Sequence, residues 1–328
     1  MHETSVESGL PLTYGQFSAV FAPEGPLRLP VYTGSMFRGA FGSALKQAVC
    51  VTRTYECAPC LLKSRCLYPY VFETPPPPES RVMRKYTAAP HPFVFEPPAG
   101  GITAPAAQPL VVGMTLFGKA IGSLSHFIFA LERLGQQGLG GRRVRCALSR
   151  VESCLDGRKW SLYGVEDRTP RSADAFEKLI VLPLRPPFAL GEQLPIEQAT
   201  IELLTPLRIV YDSRLADELP FHVLVRSLLR RIGHLSHFHC GGDPSGVDFK
   251  EWIELASTVH IVEHGLKWFD WERYSSRQQT TMRMGGLMGR VTFEGKLAPF
   301  YPLLAAGEVI HAGKGTSFGL GRYQVLGR

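Results

Sequence analysis

The residues best suited to hold a polyanion lie near the C-terminus, in the run GKGTSFGLGRYQVL from Gly313 to Leu326. Gly313, Gly315, Gly319 and Gly321 are interspersed with Lys314 and Arg322. Glycine lets backbone N–H groups approach a phosphate closely, and the two cations would add charge to such a loop. A second basic array falls at Arg226, Arg230, His234 and His237. At i, i+4, i+8 and i+11 these residues share one face of a helix, about three turns long. They either meet RNA or form an ordinary solvated face. A third basic stretch runs from Glu272 to Met284 and carries Arg273, Arg277, Gln278, Gln279 and Arg283. It suits either a strand of phosphates or a hairpin tip. Cys57, Cys60 and Cys66 follow a C-x2-C-x5-C spacing, with Cys50 seven residues upstream. The C-x2-C pair fits a tetrahedral structural zinc, completed by Cys50 or a distant residue; the alternative is a set of reduced thiols in a loop. Cys146, Cys154 and Cys240 have no partner spacing and read as core thiols.

Composition narrows the partners. The 328-residue chain has a formal charge of +7, and 26 of its 36 basic residues are Arg. Arg forks onto phosphate and stacks on bases, so the skew favours nucleic acid, against the alternative of a GC-biased genome. The N-terminus is polar, with no charged start followed by an apolar core. The longest charge-free run, Pro97 to Gly118, holds four prolines and four glycines, which excludes a spanning helix. Seven cysteines, an odd number without a secretion signal, lead us to expect a reducing cytoplasm rather than a disulfide framework.

Elements able to position these groups follow from periodicity. Tyr14 to Phe21 alternates as a strand, with Phe17, Ala19 and Phe21 on one face. A helix from a cap at Thr33 or Ser35 to about Val49 buries Phe37, Phe41, Leu45 and Val49, leaving Arg38 and Lys46 off that stripe. Pro75 to Pro78 is an extended loop, and Phe93–Phe95 and Leu110–Phe117 are strands. A helix follows at about Lys119 to Leu134. After a Pro/Gly break at Pro186 to Pro195 come a strand at Thr200–Leu204 and a helix from Leu219 to about His239, with Phe221, Leu224, Leu228, Ile232 and Leu235 on its core face. Thr258 to Trp271 and Leu287 to Phe293 complete the strands. His91, His126, His260 and His264 fall in or beside these elements and read as structural. The chain also repeats itself. Around Gly118 and around Gly295 it passes through Gly-Lys, an apolar helical segment, a Gly-Leu-Gly turn with Arg behind, and a short strand. Such a repeat calls for two α+β modules in tandem, divided here as 1–193 and 194–328.

The ordered set SMFRGAFGSAL (Ser35 to Leu45), CLYPYVFE (Cys66 to Glu73), WFDWERYSSRQQ (Trp268 to Gln279), GGLMGRVTFEG (Gly285 to Gly295) and HAGKGTSFGLGRY (His311 to Tyr323) resembles the CRISPR precursor-RNA processing endoribonucleases of the RAMP superfamily. The resemblance implies two ferredoxin-like (RRM-like) domains, the first with a Cys-containing insertion. It also implies metal-independent cutting of repeat RNA into guides, with no catalytic cofactor. The 2′-OH would attack the adjacent phosphate to leave a 2′,3′-cyclic phosphate and a 5′-OH, and the product could stay bound. CRISPR repeat RNA and other effector subunits are the implied partners. Family members often carry a catalytic His in or soon after the first helix, yet no His lies between Tyr32 and Lys85 here. Three readings follow. One is a constellation of Tyr32, Arg38 and Lys46. Another is a His from elsewhere, for which His311 is the candidate base, with Lys46 or Lys314 stabilising charge and Tyr32 the base if His311 is structural. The last is a non-catalytic subunit that binds guide RNA within an effector complex. Gly313, Gly315, Gly319 and Gly321 match the family's glycine loop and are expected to bind RNA backbone or to shape the cleft between the domains, with Lys314 and Arg322 beside them as RNA contacts.

Overall fold

A computed structural model describes residues 9–76, 88–155, 158–164, 169–187, 194–275 and 280–327. The chain divides into two compact units. One comprises Thr13–Lys178 together with Ser317–Gly319; the other comprises Met1–Leu12, Leu179–Thr316 and Leu320–Arg328. We call them the N-terminal and C-terminal units. The expected division after residue 193 falls beside residues 188–193, outside the described residues.

Strands of the N-terminal part, in chain order, are β1 (Gly9–Pro23), β2 (Leu27–Arg28), β3 (Phe93–Glu96), β4 (Thr103–Ala104), β5 (Leu110–Phe117), β6 (Cys146–Leu155) and β7 (Arg158–Gly164). Helix α1 (Gly34–Val49) follows β2 and α2 (Leu124–Gln137) follows β5. The antiparallel sheet runs β3-β5-β1-β6-β7. Its register sets Phe17 against Met114, Ala19 against Val112 and Phe21 against Leu110, and all six side chains are buried. That is how the alternation in β1 becomes one wall of a core. Phe37, Phe41 and Leu45 of α1 form the opposite wall as their spacing predicts. The Phe41 ring lies 5.1 Å from Phe95 and 5.2 Å from Phe127, near edge-on to the former. Residues Gly118–Ser123 form a 3-10 turn, so α2 starts at Leu124 rather than at Lys119. Gly118 at φ +50 breaks the path out of β5, and the tighter turn buries Ala120 and Ile121.

Strand β8 (Lys178–Pro183) also pairs with β1. The C-terminal unit then contributes β9 (Glu197–Leu207), the hairpin β10 (Val210–Tyr211) and β11 (Arg214–Leu215), α3 (Phe221–Leu235), α4 (Phe249–Ala256) and β12 (His260–Phe269). A second hairpin, β13 (Glu272–Ser275) and β14 (Thr280–Arg283), precedes β15 (Gly286–Gly295), α5 (Tyr301–Ile310) and β16 (Tyr323–Leu326). The sheet order is β12-β15-β9-β16. The expected stripe of α3 is buried, and Phe221 packs 5.0 Å from both Phe293 and Phe300. Helix α3 ends at Leu235 and passes into a π turn, Ser236–Cys240, that closes at Gly241 with φ +77. Asp248 caps α4 by accepting from the Glu251 N–H at 3.0 Å; the sequence pattern had assigned no element there.

With these orders the two units are alike. Each reads β-α-β-β-α-β, and numbering its four principal strands gives the spatial order 2-3-1-4, the ferredoxin-like arrangement. The repeated Gly-Lys segments follow β5 in the first unit and β15 in the second, and each leads through a 3-10 turn into a helix. Among the described residues no helix is long and apolar enough to cross a membrane.

Candidate functional site

Helix α1 buries its phenylalanine stripe, which leaves Arg38 on the flank of the core. The guanidinium carbon of Arg38 lies 4.7 Å from the Phe72 ring centroid and 4.9 Å from that of Phe318. One guanidinium nitrogen is 3.4 Å from Nε2 of His91. Arg can only donate, so Nε2 is the acceptor in this contact. The His91 ring stacks on Phe93, centroids 5.8 Å apart at 24°. Phe318 belongs to the loop tip Ser317–Gly319, which groups with the N-terminal unit. Tyr32 donates its phenol hydrogen to the Phe318 carbonyl at 2.8 Å. Two residues expected to do chemistry, Tyr32 and Arg38, are therefore gathered around one loop tip, with His91 added. Sequence periodicity had read His91 as structural. The signal that could have raised it is its place two residues before β3, on the sheet that α1 covers.

Three expected catalytic groups are engaged elsewhere in the fold. Burial pushes the Tyr32 phenol far above its ordinary range, and its hydrogen is committed to Phe318, so it is no base. His311 is 0% exposed, stands just past α5 at φ +60, and its Nδ1 sits 3.2 Å from the Leu320 carbonyl. An imidazole so enclosed closes a helix end and braces the glycine loop rather than meeting a phosphate. Lys46 lies eight residues beyond Arg38 on α1, about 12 Å by helix rise, with its ammonium 5.0 Å from the Tyr68 ring centroid.

The glycine loop uses its backbone internally. The N–H of Ala312 donates to Gly321, that of Gly313 to Ser227 Oγ, that of Lys314 to Arg208, and that of Gly321 to Pro206. Gly313, Gly315, Gly319 and Gly321 all have φ between +72 and +88, a region costly for other residues. These glycines thus shape the loop, and the N–H groups of Gly313 and Gly321 are engaged within the protein. The Lys314 side chain is exposed, and Arg322 is half-buried.

On α3, Arg226 and Arg230 are exposed, as a basic stripe requires. His234 is not part of that charge. Burial, then Arg230, His237 and Arg231, push its pKa down to about 4. His237 Nδ1 lies 3.2 Å from the Gly242 carbonyl. Arg277 lies outside the described residues, and so do the side chains of Arg273 and Arg283.

Cys50, Cys57, Cys60 and Cys66 line one cavity of about 620 Å³ with Lys46 and His126. All four thiols are free and half-buried. Among the described residues no group of three or more His, Cys, Asp or Glu converges as metal ligands, so the zinc expectation gains no support. The cysteines share a wall without sharing a point. Burial raises the Cys57 pKa, whereas the Thr52 hydroxyl leads the causes that lower that of Cys50.

Comparison with known proteins adds a family to this geometry. Residues 11–175 match the N-terminal domain model AF_1859_N, and residues 201–323 match the model "CRISPR-associated endoribonuclease Cas6". An uncharacterized protein of Archaeoglobus fulgidus is 25% identical over 309 residues, covering 90% of this chain and 92% of that protein. A Cas6 product complex superposes with a TM-score of 0.52 at 16% identity, covering 95% of this chain and 100% of its own. A partial Cas6-RT-Cas1–Cas2 complex superposes with a TM-score of 0.54 at 12% identity, covering 97% of this chain and 46% of the longer one. At these identities the structures speak for the fold, and both share it. The first half of the chain thus places it in the family of the AF_1859_N N-terminal domain, and its residues 201–323 are similar to the Cas6 endoribonuclease family, on paired ferredoxin-like units.

Proposed function

We propose that this protein cuts CRISPR repeat RNA within precursor transcripts, without a metal, and uses His91 and Arg38 to do so. The observation that carries the reading is the His91 imidazole beside the Arg38 guanidinium, at a loop tip anchored by Tyr32. RNA cleavage by its own 2′-OH needs a base for that proton and a cation for the developing phosphorane charge. When a phosphate draws the Arg38 guanidinium toward itself, His91 Nε2 is released to accept the 2′-OH proton. The 2′ oxygen then bonds to phosphorus and the bond from phosphorus to the 5′ oxygen breaks. Water supplies the proton that the leaving oxygen takes, and the products are a 2′,3′-cyclic phosphate and a 5′-OH. The match of residues 201–323 to the Cas6 endoribonuclease family supports the substrate class, and the product complex of a structural relative is consistent with RNA held after cutting.

The test is single-turnover cleavage of the cognate repeat RNA in EDTA, with a repeat carrying one 2′-deoxy nucleotide at the cut site as control. His91→Ala is expected to slow cutting by roughly 10²–10⁴-fold with little change in RNA affinity, the usual range for acid–base groups. Lys46→Ala should leave the rate near wild type. An undiminished rate in His91→Ala would remove that residue from the mechanism. Cutting of the deoxy substrate, or loss of cutting on chelation alone, would overturn the chemistry. If the wild type binds the repeat and never cuts it, the protein is a guide-binding subunit instead.

A further inference from the structure

Just after β9 the chain turns through the hairpin β10–β11, whose corner residues Asp212 and Ser213 have φ +47 and +66. Two successive positive φ values give a two-residue hairpin turn that matches strand twist, so Tyr211 is carried on a short, firm ledge. Facing it is the start of α3, which presents His222 and, one turn later, Arg226. The Tyr211 and His222 ring centroids are 5.8 Å apart at 72°, and the Arg226 guanidinium carbon is 5.8 Å from the Tyr211 centroid. Both rings are half-buried, while Arg226 is exposed. The next residue, Ser227, accepts the Gly313 N–H through its hydroxyl, and Arg208, just ahead of the hairpin, accepts the Lys314 N–H. Hairpin, helix flank and glycine loop are thus one continuous stretch of the C-terminal unit.

A bare phosphate would need only the cations on this stretch, and an apolar side chain would need only the rings. A nucleotide needs both, because its base stacks on flat faces while its phosphate seeks charge. We propose that Tyr211, His222 and Arg226 form a seat for one unpaired nucleobase of single-stranded RNA, whose neighbouring phosphates lie toward Lys314 and Arg230. The seat rests on the RNA reading above and adds to it a place where a base, rather than the backbone, is held. Burial, followed by the charge of Arg226, lowers the pKa of His222, so its ring is neutral at neutral pH and can stack without competing for phosphate.

Fluorescence anisotropy of the labelled cognate repeat RNA, and of heparin as a polyanion without bases, separates base from charge. Tyr211→Ala is expected to weaken RNA binding by about 5- to 150-fold, the range for losing one stacked base, and to leave heparin binding unchanged. Its salt slope should also stay at the wild-type value, since no cation is lost. Tyr211→Trp should restore affinity, and His222→Ala should weaken RNA binding in the same direction with heparin unaffected. Equal RNA affinity in Tyr211→Ala and wild type, or an equal loss toward RNA and heparin, would overturn the seat while leaving RNA binding intact. A wild type that does not bind the repeat at all would overturn the RNA reading itself, and the seat with it.

Discussion

Arg226, Arg230, His234 and His237 were chosen for their spacing, but the charge they carry depends on surroundings that spacing does not describe. The imidazole of His234 is half-buried and sits near Arg230, His237 and Arg231, so its pKa is held at about 4 against an ordinary value of 6.5. A histidine with a lowered folded pKa keeps its stabilising effect above 6.5 and loses it as pH falls toward 4, because the unfolded chain takes up the proton first. His234→Asn should therefore flatten the acid side of the stability profile. Urea unfolding at pH 7 and pH 5 is the measurement. The wild type should lose up to about 2 kcal/mol more than the variant between those two values, less in proportion to the solvent that reaches the ring. Parallel losses in the two proteins would mean that His234 is protonated in the fold and does belong to the basic stripe. Tyr32 and His311 teach the same lesson. Their types suit catalysis, and their burial assigns them to holding the loop.

At the level of elements, the glycine loop was legible as a motif while its purpose was not. Glycines beside cations suggest phosphate, yet here their positive φ values fold the loop and let its tip close on α1 and β3. Gly34, the first residue of α1, lies directly under the Phe318 carbonyl, where a Cβ would also meet the Tyr32 ring at 2.7 Å. Gly39, five residues along the same helix, is exposed with nothing within 4 Å of an added Cβ. The two glycines therefore predict opposite signs. Gly34→Ala should destabilise by about 1–3 kcal/mol through overpacking against the loop tip. Gly39→Ala should stabilise by roughly 0.5–1 kcal/mol, since alanine is the better helix former. Equilibrium unfolding of both variants decides. A neutral Gly34→Ala would show that the tip does not rest on α1 as described. Long periodic elements such as β1, α1, β5 and α3 were readable because each buries one face of a regular pattern. The start of α2 and the whole of α4 were not, since a 3-10 turn and an Asp cap depend on local backbone geometry that apolar spacing leaves open.

For the molecule as a whole, tandem α+β modules were foreseeable from the repeated Gly-Lys segments, and both units close into the same 2-3-1-4 sheet. The cysteine grouping was legible from its spacing, whereas the His91–Arg38 pair was not foreseeable, because those two residues lie 53 positions apart and meet only in the fold. Net charge carries information of a different kind. A formal +7, mostly Arg, favours polyanions without saying where they bind. The exposed cations on α3 narrow that to Arg226 and Arg230, and the neutrality of His234 makes their contribution independent of pH near 7. RNA affinity should therefore fall linearly with salt on logarithmic axes, each neutralised phosphate of single-stranded RNA giving a slope of about −0.7. Replacing both Arg226 and Arg230 with Ala should make the slope shallower by about 1.4, and by the same amount at pH 6 and pH 8. Filter binding of the repeat RNA over a series of KCl concentrations measures it. An unchanged slope would make the stripe a solvated face, and a larger change at pH 6 than at pH 8 would put a titrating histidine at the RNA.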